Sequence, residues 1–178
     1  MNIPRIETKR LILRGFQEKD LDPYTEMCND SDVMRYIGTG ITLSRAEAWR
    51  NMAMIIGHWY LRGYGLWAVE ERQTGEMIGR IGCWNPEGWV DFEVGWMLRK
   101  AYWGKGFATE AARVVMDYAF TSLHQPRVIS LILPENLASQ RLALRLGEKL
   151  EGNTEILGNK VRIYGISREK WQAIKSKN

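Results

Sequence analysis

A chain of 178 residues that is 45% hydrophobic can bury one sizeable core, and no Pro-, Ser- or Gly-rich linker divides it, so a single domain over 1–178 is expected. Charges precede any long apolar run and no stretch reaches about 18 consecutive apolar residues, which argues against a signal peptide or membrane span and for a cytoplasmic protein. Net charge is only +4, and RNP-type aromatic motifs, zinc spacing and basic heptads are lacking, so the expected partner is a small polyanion or acidic patch and not nucleic acid.

In chain order, Arg10 to Phe16 reads as a short strand. Asp22-Pro23 supplies an N-cap and a first-turn proline for a helix towards Asn29, followed by a polar loop, Asn29 to Asp32, and a flexible one, Tyr36 to Gly40. Ser44 and Glu47 form a capping-box pair before a helix with apolar residues at Ala48, Met52, Ile55, Ile56 and Trp59, stopped by Gly63 and Gly65. Three strands follow, Leu66 to Glu70, Met77 to Trp84 and Val90 to Leu98, the first hairpin turning at Gln73 to Glu76. An amphipathic helix then carries Ala108, Ala112, Val115, Ala119 and Leu123. Arg127 to Leu133 is a β-branched strand, Asn136 caps a short helix ending at Gly147, and Lys149 to Ser167 is a hairpin turned at Gly158-Asn159.

The stretch Tyr102-Trp103-Gly104-Lys105-Gly106-Phe107-Ala108-Thr109-Glu110 joins the third of those strands to the amphipathic helix. Two glycines there let backbone N–H groups converge where free donors and the positive end of the helix dipole favour an anion, so the loop reads as a phosphate site. A Walker-type loop does not fit: Arg99 stands at its first glycine and Gly106 at its Ser/Thr. A dinucleotide fingerprint fails too, with Thr109 at its third glycine and the apolar surroundings of Ile129 where an acidic residue belongs. Two cysteines, Cys28 and Cys83, lie far apart without ligand spacing, so no metal is expected and a reducing compartment is.

Written as Trp103-x-x-Gly106-x-Ala108, the loop resembles the pyrophosphate motif of the GNAT superfamily of N-acetyltransferases, whose first position is normally Gln or Arg. With Trp there, it is similar to the branch that acetylates ribosomal-protein N-termini. Glu7-Thr8-Lys9-Arg10-Leu11-Ile12-Leu13-Arg14, Glu93-Val94-Gly95-Trp96-Met97-Leu98, Asn136-Leu137-Ala138-Ser139 and Leu146-Gly147 extend the likeness over nearly the whole chain. The resemblance implies an α+β acyl-CoA N-acyltransferase fold: a mixed, mostly antiparallel sheet of about seven strands, splayed at its centre, with about four helices. It implies acetyl-CoA as co-substrate, an amine acceptor, direct transfer in a ternary complex, and admits a homodimer.

Carried over residue by residue, main-chain groups near Met97, Leu98 and Arg99 are expected to pair with pantetheine and polarise the thioester carbonyl. Trp103, Gly104, Lys105, Gly106, Phe107, Ala108 and Thr109 are expected to hold the pyrophosphate, with Arg141 nearby, and Asn136 to hold a pantetheine amide. On the strand after Val90, alternation puts Phe92, Val94, Trp96 and Leu98 on the core face and Asp91, Glu93, Gly95 and Met97 on the other. Glu93 is the candidate base, with an exposed strand carboxylate as the plain alternative and Asp91 second. The tyrosine acid found in many members is replaced by Ala143, and Ser139 matches the serine that takes its place; helix capping alone also explains Asn136 and Ser139. His58 and His124 read as structural. Acceptor choice is expected from 35–42, 57–64 and the Gly158 hairpin, with Tyr36, Trp59 and Asp91 as substrate contacts and Tyr60 and Tyr64 as further groove aromatics. A noncatalytic acyl-CoA-binding module and a nucleotide-dependent oxidoreductase are the rival classes.

Overall fold

Eight strands among the described residues, 3–176 of a computed structural model, form one sheet. They are β1 (Ile6–Glu7), β2 (Leu11–Arg14), β3 (Leu66–Glu71), β4 (Met77–Trp84), β5 (Glu93–Leu98), β6 (Arg127–Ile132), β7 (Lys149–Ile156) and β8 (Asn159–Ser167), in spatial order β1-β2-β3-β4-β5-β6-β8-β7. Every neighbouring pair is antiparallel except β5 with β6. The helices are α1 (Leu21–Asn29), α2 (Ser31–Met34), α3 (Arg45–Arg62), α4 (Phe107–Thr121), α5 (Leu137–Arg145) and α6 (Arg168–Lys175). None of the described helices is long and apolar enough to cross a membrane.

The class is the expected one, with one more strand and two more helices. β1 has two residues and α2 four, too few for periodicity to register. α6 starts directly where β8 ends, capped by the Ser167 hydroxyl, and buries only Trp171, so it has no apolar stripe to read. The first helix opens earlier than Asp22. Asp20 is drawn inward by two bonds from the Arg14 guanidinium, 2.7 and 2.8 Å, closing a 3₁₀ turn from which α1 continues. Pro23 then lies within the first turn, where a missing N–H costs no helical bond. The last hairpin turns one residue earlier than expected, at Leu157-Gly158, both with positive φ (49° and 75°) as a type I′ turn needs, while Asn159 pairs with Ile156.

Strand alternation sorts the layers. Val94 pairs with Cys83, which faces Tyr118 of α4, and α4 buries Phe107, Ala111, Ala112, Val115, Met116, Ala119 and Phe120. Met97 pairs with Arg80, which faces Tyr24 and Cys28 of α1, and α1 packs on α3. Helices therefore cover both faces, and each large apolar side chain buried this way contributes roughly 1.5–3 kcal/mol.

The sheet opens between β5 and β6. β4 and β5 pair over six residues, whereas β5 and β6 meet only at Glu93 and Ile129, where Ile129 N–H donates to Phe92 O at 3.0 Å. Side chains take over from there. The Ser130 hydroxyl donates to Val94 O at 2.9 Å, and the Leu131 main chain favours the Glu93 carboxylate electrostatically. Beyond that point the main-chain groups on this side of β5 face the opening. This is the splay that the resemblance implies.

Candidate active site

The glycine loop leaves β5 through a 3₁₀ turn and enters α4 at Gly106, whose φ is 79°; Gly104 has φ 73°. No side chain caps α4, so the first-turn N–H groups of Phe107, Ala108 and Thr109 remain available to an anion. A Cβ on Gly104 would meet nothing within 4 Å, and one on Gly106 would stand 3.4 Å from Arg10 Nη2. Such a cradle fits a pyrophosphate, which approaches backbone closely and carries charge of the sign the helix end favours.

Arg10 braces this loop. Its Nη1 donates to Lys105 O at 2.9 Å, its guanidinium lies 4.3 Å from the centre of the buried Phe107 ring, and its Nε donates to Glu110 Oε2 at 2.6 Å. Thr8 Oγ1 and Arg10 N donate to the other oxygen of Glu110, at 2.6 and 2.9 Å. Sequence reasoning saw both phrases and missed their contact, because the partners stand a hundred residues apart. Trp103 donates its indole N–H to Leu98 O at 2.9 Å and so pins the end of β5 to the loop. Lys105 Nζ rests 5.3 Å from the Tyr102 ring.

Two of the expected main-chain partners need correcting. Arg99 N–H donates to Ile78 O, so in this antiparallel pair Met97 and Arg99 turn their main-chain groups to β4, while Trp96 and Leu98 turn theirs to the opening. The Arg99 side chain is also committed, to Glu26 at 2.9 Å and Glu76 at 3.6 Å. Trp96 was the missed residue. Its ring is only half-buried and lines the opening, unlike Phe92, Val94 and Leu98, which are buried.

A cavity of about 520 Å³ occupies the splay. Of the expected residues it brings together Glu93, Met97, Tyr36, Asn136 and Ser139. Asn136 Oδ1 accepts from Ser139 N–H at 3.1 Å, a capping bond, and Ser139 Oγ accepts from Trp96 Nε1 at 3.1 Å. Arg141 is exposed on α5. Glu93 sits at the last paired position, its Oε2 accepting from the Trp89 indole at 2.7 Å. Burial pushes its carboxyl up to about 7, against the pull of the Trp89 indole, the Leu131 N–H and the Arg80 charge. A carboxyl poised there takes and releases a proton near neutrality.

Two expected substrate contacts fall elsewhere. Trp59 is 1% exposed, donates to Leu66 O at 2.9 Å and packs edge-on against Trp67; helical periodicity marked a core face and could not separate core from groove. Asp91 lies before β5, which begins at Glu93 and not Val90; its carboxylate accepts from Phe92 N–H and pairs with Arg127 outside the cavity. Tyr60 is exposed on α3 and Tyr64 packs on His58 and Phe92. Of the expected aromatics Tyr36 does line the groove, joined by Tyr24, Trp84, Trp89 and Trp96. His58 is structural as expected, its Nδ1 2.8 Å from Tyr64 O and its ring stacked on Trp84. Arg80 was also missed, although a charge within the mostly buried β4 was the signal for it.

Among the described residues no group of His, Cys, Asp and Glu is placed to hold a metal. A family model described as an acetyltransferase (GNAT) domain matches residues 10–149. The uncharacterized N-acetyltransferase YnaD of Bacillus subtilis is 33% identical over 150 residues, 83% of this chain and 84% of the relative. A solved acetyltransferase from Agrobacterium tumefaciens superposes with a TM-score of 0.82 at 28% identity, covering 93% of this chain and 95% of that one. RimL, a ribosomal L7/L12 alpha-N-protein acetyltransferase solved in complex with coenzyme A, shares the fold: TM-score 0.76, 18% identity, 92% and 98% covered.

Proposed function

The chain belongs to the GNAT acetyltransferase family, and from that premise we propose that it moves acetyl from acetyl-CoA to a primary amine by direct transfer in a ternary complex. The observation that carries this is the position of Glu93: a carboxyl with a pKa of about 7 at the point where the sheet opens, in the cavity that Ser139 and Asn136 also line.

Acetyl-CoA supplies an activated thioester. The uncapped start of α4 holds the pyrophosphate, with Arg141, exposed on α5, as an added cation, and the outward N–H groups of Trp96 and Leu98 hold the pantetheine edge and the developing charge on the thioester oxygen. Asn136 keeps its amide N–H₂ for a pantetheine carbonyl while its oxygen caps α5. Glu93 accepts the proton the amine must lose, directly or through water. One C–N bond forms and the C–S bond breaks. Ser139 passes a proton to the leaving thiolate and is reprotonated from solvent, while Glu93 releases the amine proton to solvent; a thiol pKa of ~8.5 already makes the thiolate a fair leaving group.

Calorimetric titration with acetyl-CoA and NADH side by side, then thiol release against amines and N-terminal peptides, tests the reading. Acetyl-CoA binding with amine-dependent thiol release is expected. Binding without release from any amine identifies a noncatalytic acyl-CoA module, and NADH binding in place of acetyl-CoA overturns the family assignment of the site.

A further inference from the structure

Arg80 is the fourth of eight residues in a strand that is otherwise mostly buried, and a charge kept there is costly unless something pairs it. Arg10, Arg14, Arg99 and Arg127 each have a carboxylate within ion-pair distance. Arg80 has none among the described residues, and its Nε is buried without a hydrogen-bond partner. Its charge acts on the Tyr24 hydroxyl, the Cys28 thiol and the Glu93 carboxylate, and all four residues line the central cavity. Tyr24 donates its proton to Asn51 Oδ1 at 2.5 Å, so it offers Arg80 a neutral acceptor only. Met34, Ile37, Leu43 and Ile55 complete this side with apolar surface.

The strand register relates this guanidinium to the base. Arg80 pairs with Met97, Gly82 with Gly95 and Trp84 with Glu93, three successive pairs on one face. Gly95 stands between the two charged residues, and a Cβ there would meet only Glu93, at 3.6 Å. A small molecule can therefore lie over Gly95 with one end at Arg80 and the other at Glu93. Asn159 Nδ2, at the first residue of β8, donates to Gly38 O at 3.2 Å and closes the β7–β8 turn against the loop after α2, both residues lining the cavity. That closure suits a small acceptor better than an extended polypeptide.

Resting on the transferase reading above, we infer that Arg80 anchors a carboxylate of the acceptor, which is a small amino acid whose amine is thereby aimed at Glu93. A guanidinium matches a carboxylate through two parallel N–H···O bonds, and the acceptor's negative charge supplies what the protein leaves out. The same positive charge favours the neutral form of a nearby amine and repels polyamines.

The test is steady-state thiol release from acetyl-CoA with the α-amino acids and, one for one, their carboxamides. At least one acid is expected to exceed its amide by about tenfold or more in kcat/KM, the scale of a charge-assisted bond. Arg80→Gln should abolish that preference and Arg80→Lys retain part of it, with acetyl-CoA affinity by calorimetry unchanged. Should the variants fail to fold, the comparison of acids with amides on the wild-type enzyme still decides. Amides turned over as well as their acids, or turnover confined to peptides or polyamines, overturns the inference and leaves the transferase standing. Silence with every amine, acetyl-CoA being bound, overturns both.

Discussion

The indole N–H of Trp96 donates to the hydroxyl of Ser139 across 3.1 Å, joining the open edge of β5 to the first turn of α5. An indole nitrogen can only donate, so the serine oxygen accepts and its own proton is free to point elsewhere. Ser139 is thus oriented as a donor into the cavity it lines.

Ser139→Ala should lower kcat by about tenfold, the low end for a general acid because the thiolate leaves readily. Folding should be little affected, since the capping bond uses the Ser139 backbone N–H and the Asn136 side chain. Single-turnover thiol release compared with urea midpoints separates the two effects, and an unchanged rate would reduce Ser139 to a helix residue.

On the proposed mechanism Glu93 must be ionised to accept a proton, and with its pKa raised to about 7 the rate should rise as pH increases through that value. Glu93→Gln should remove this limb and lower kcat by about a hundredfold at pH 8, with little change in acetyl-CoA affinity. A pH profile that keeps its rise in the variant assigns the limb to another group.

Gly106→Glu should weaken acetyl-CoA binding by roughly 10- to 100-fold, through left-handed backbone strain and a like charge beside phosphate. The strain follows from φ 79° at this position. Gly106→Ala keeps the strain without the charge, so calorimetry on both separates the terms. Binding undiminished in the Glu variant would place the pyrophosphate elsewhere.

Glu148 is buried at 1% exposure behind the opening, its Oε1 3.0 Å from Ser130 Oγ and its Oε2 without a partner. Val94 O and Glu148 Oε1 both stand within reach of the single Ser130 proton, and a protonated Glu148 lets Ser130 donate to Val94 O while accepting from the acid. Burial and the nearby Glu93 and Glu151 charges raise its pKa accordingly, burial most. Unfolded, the same carboxyl releases its proton near ~4.3. Above that pH the folded state binds more protons than the unfolded one, so stability falls as pH rises, with Glu93 adding to the slope up to about 7. Glu148→Gln keeps a donor for Ser130 without the proton cost. It should match the wild type at pH 4 and exceed it by roughly 1–2 kcal/mol at pH 8 in urea unfolding; equal stability at both pH values would show that Glu148 is ionised in the fold.

Some of this could be read from the chain. The Ser44–Glu47 capping box, the Gly63 stop and the glycine loop at Gly106 were legible because their physics is complete within a few residues. Glu93 and Ser139 emerged from strand alternation joined to a resemblance, and they do line one cavity. Trp59 and Asp91 went astray for opposite reasons. An apolar helical face looks the same whether it meets core or groove, and alternation was extended to Asp91, two residues before β5 begins, where the strand no longer sets its direction.

What the sequence by itself determined, then, was the element order, the family and the glycine-rich, uncapped entry to α4, because glycines, caps and periodicity act locally. The tertiary structure decided which groups face each other across the opening. Trp96 meets Ser139, Arg10 meets Glu110, and Arg80 shares a cavity with Glu93 without a carboxylate of its own. Those relations depend on strand register and on where the β5–β6 ladder stops, and both are set by packing between segments distant in sequence.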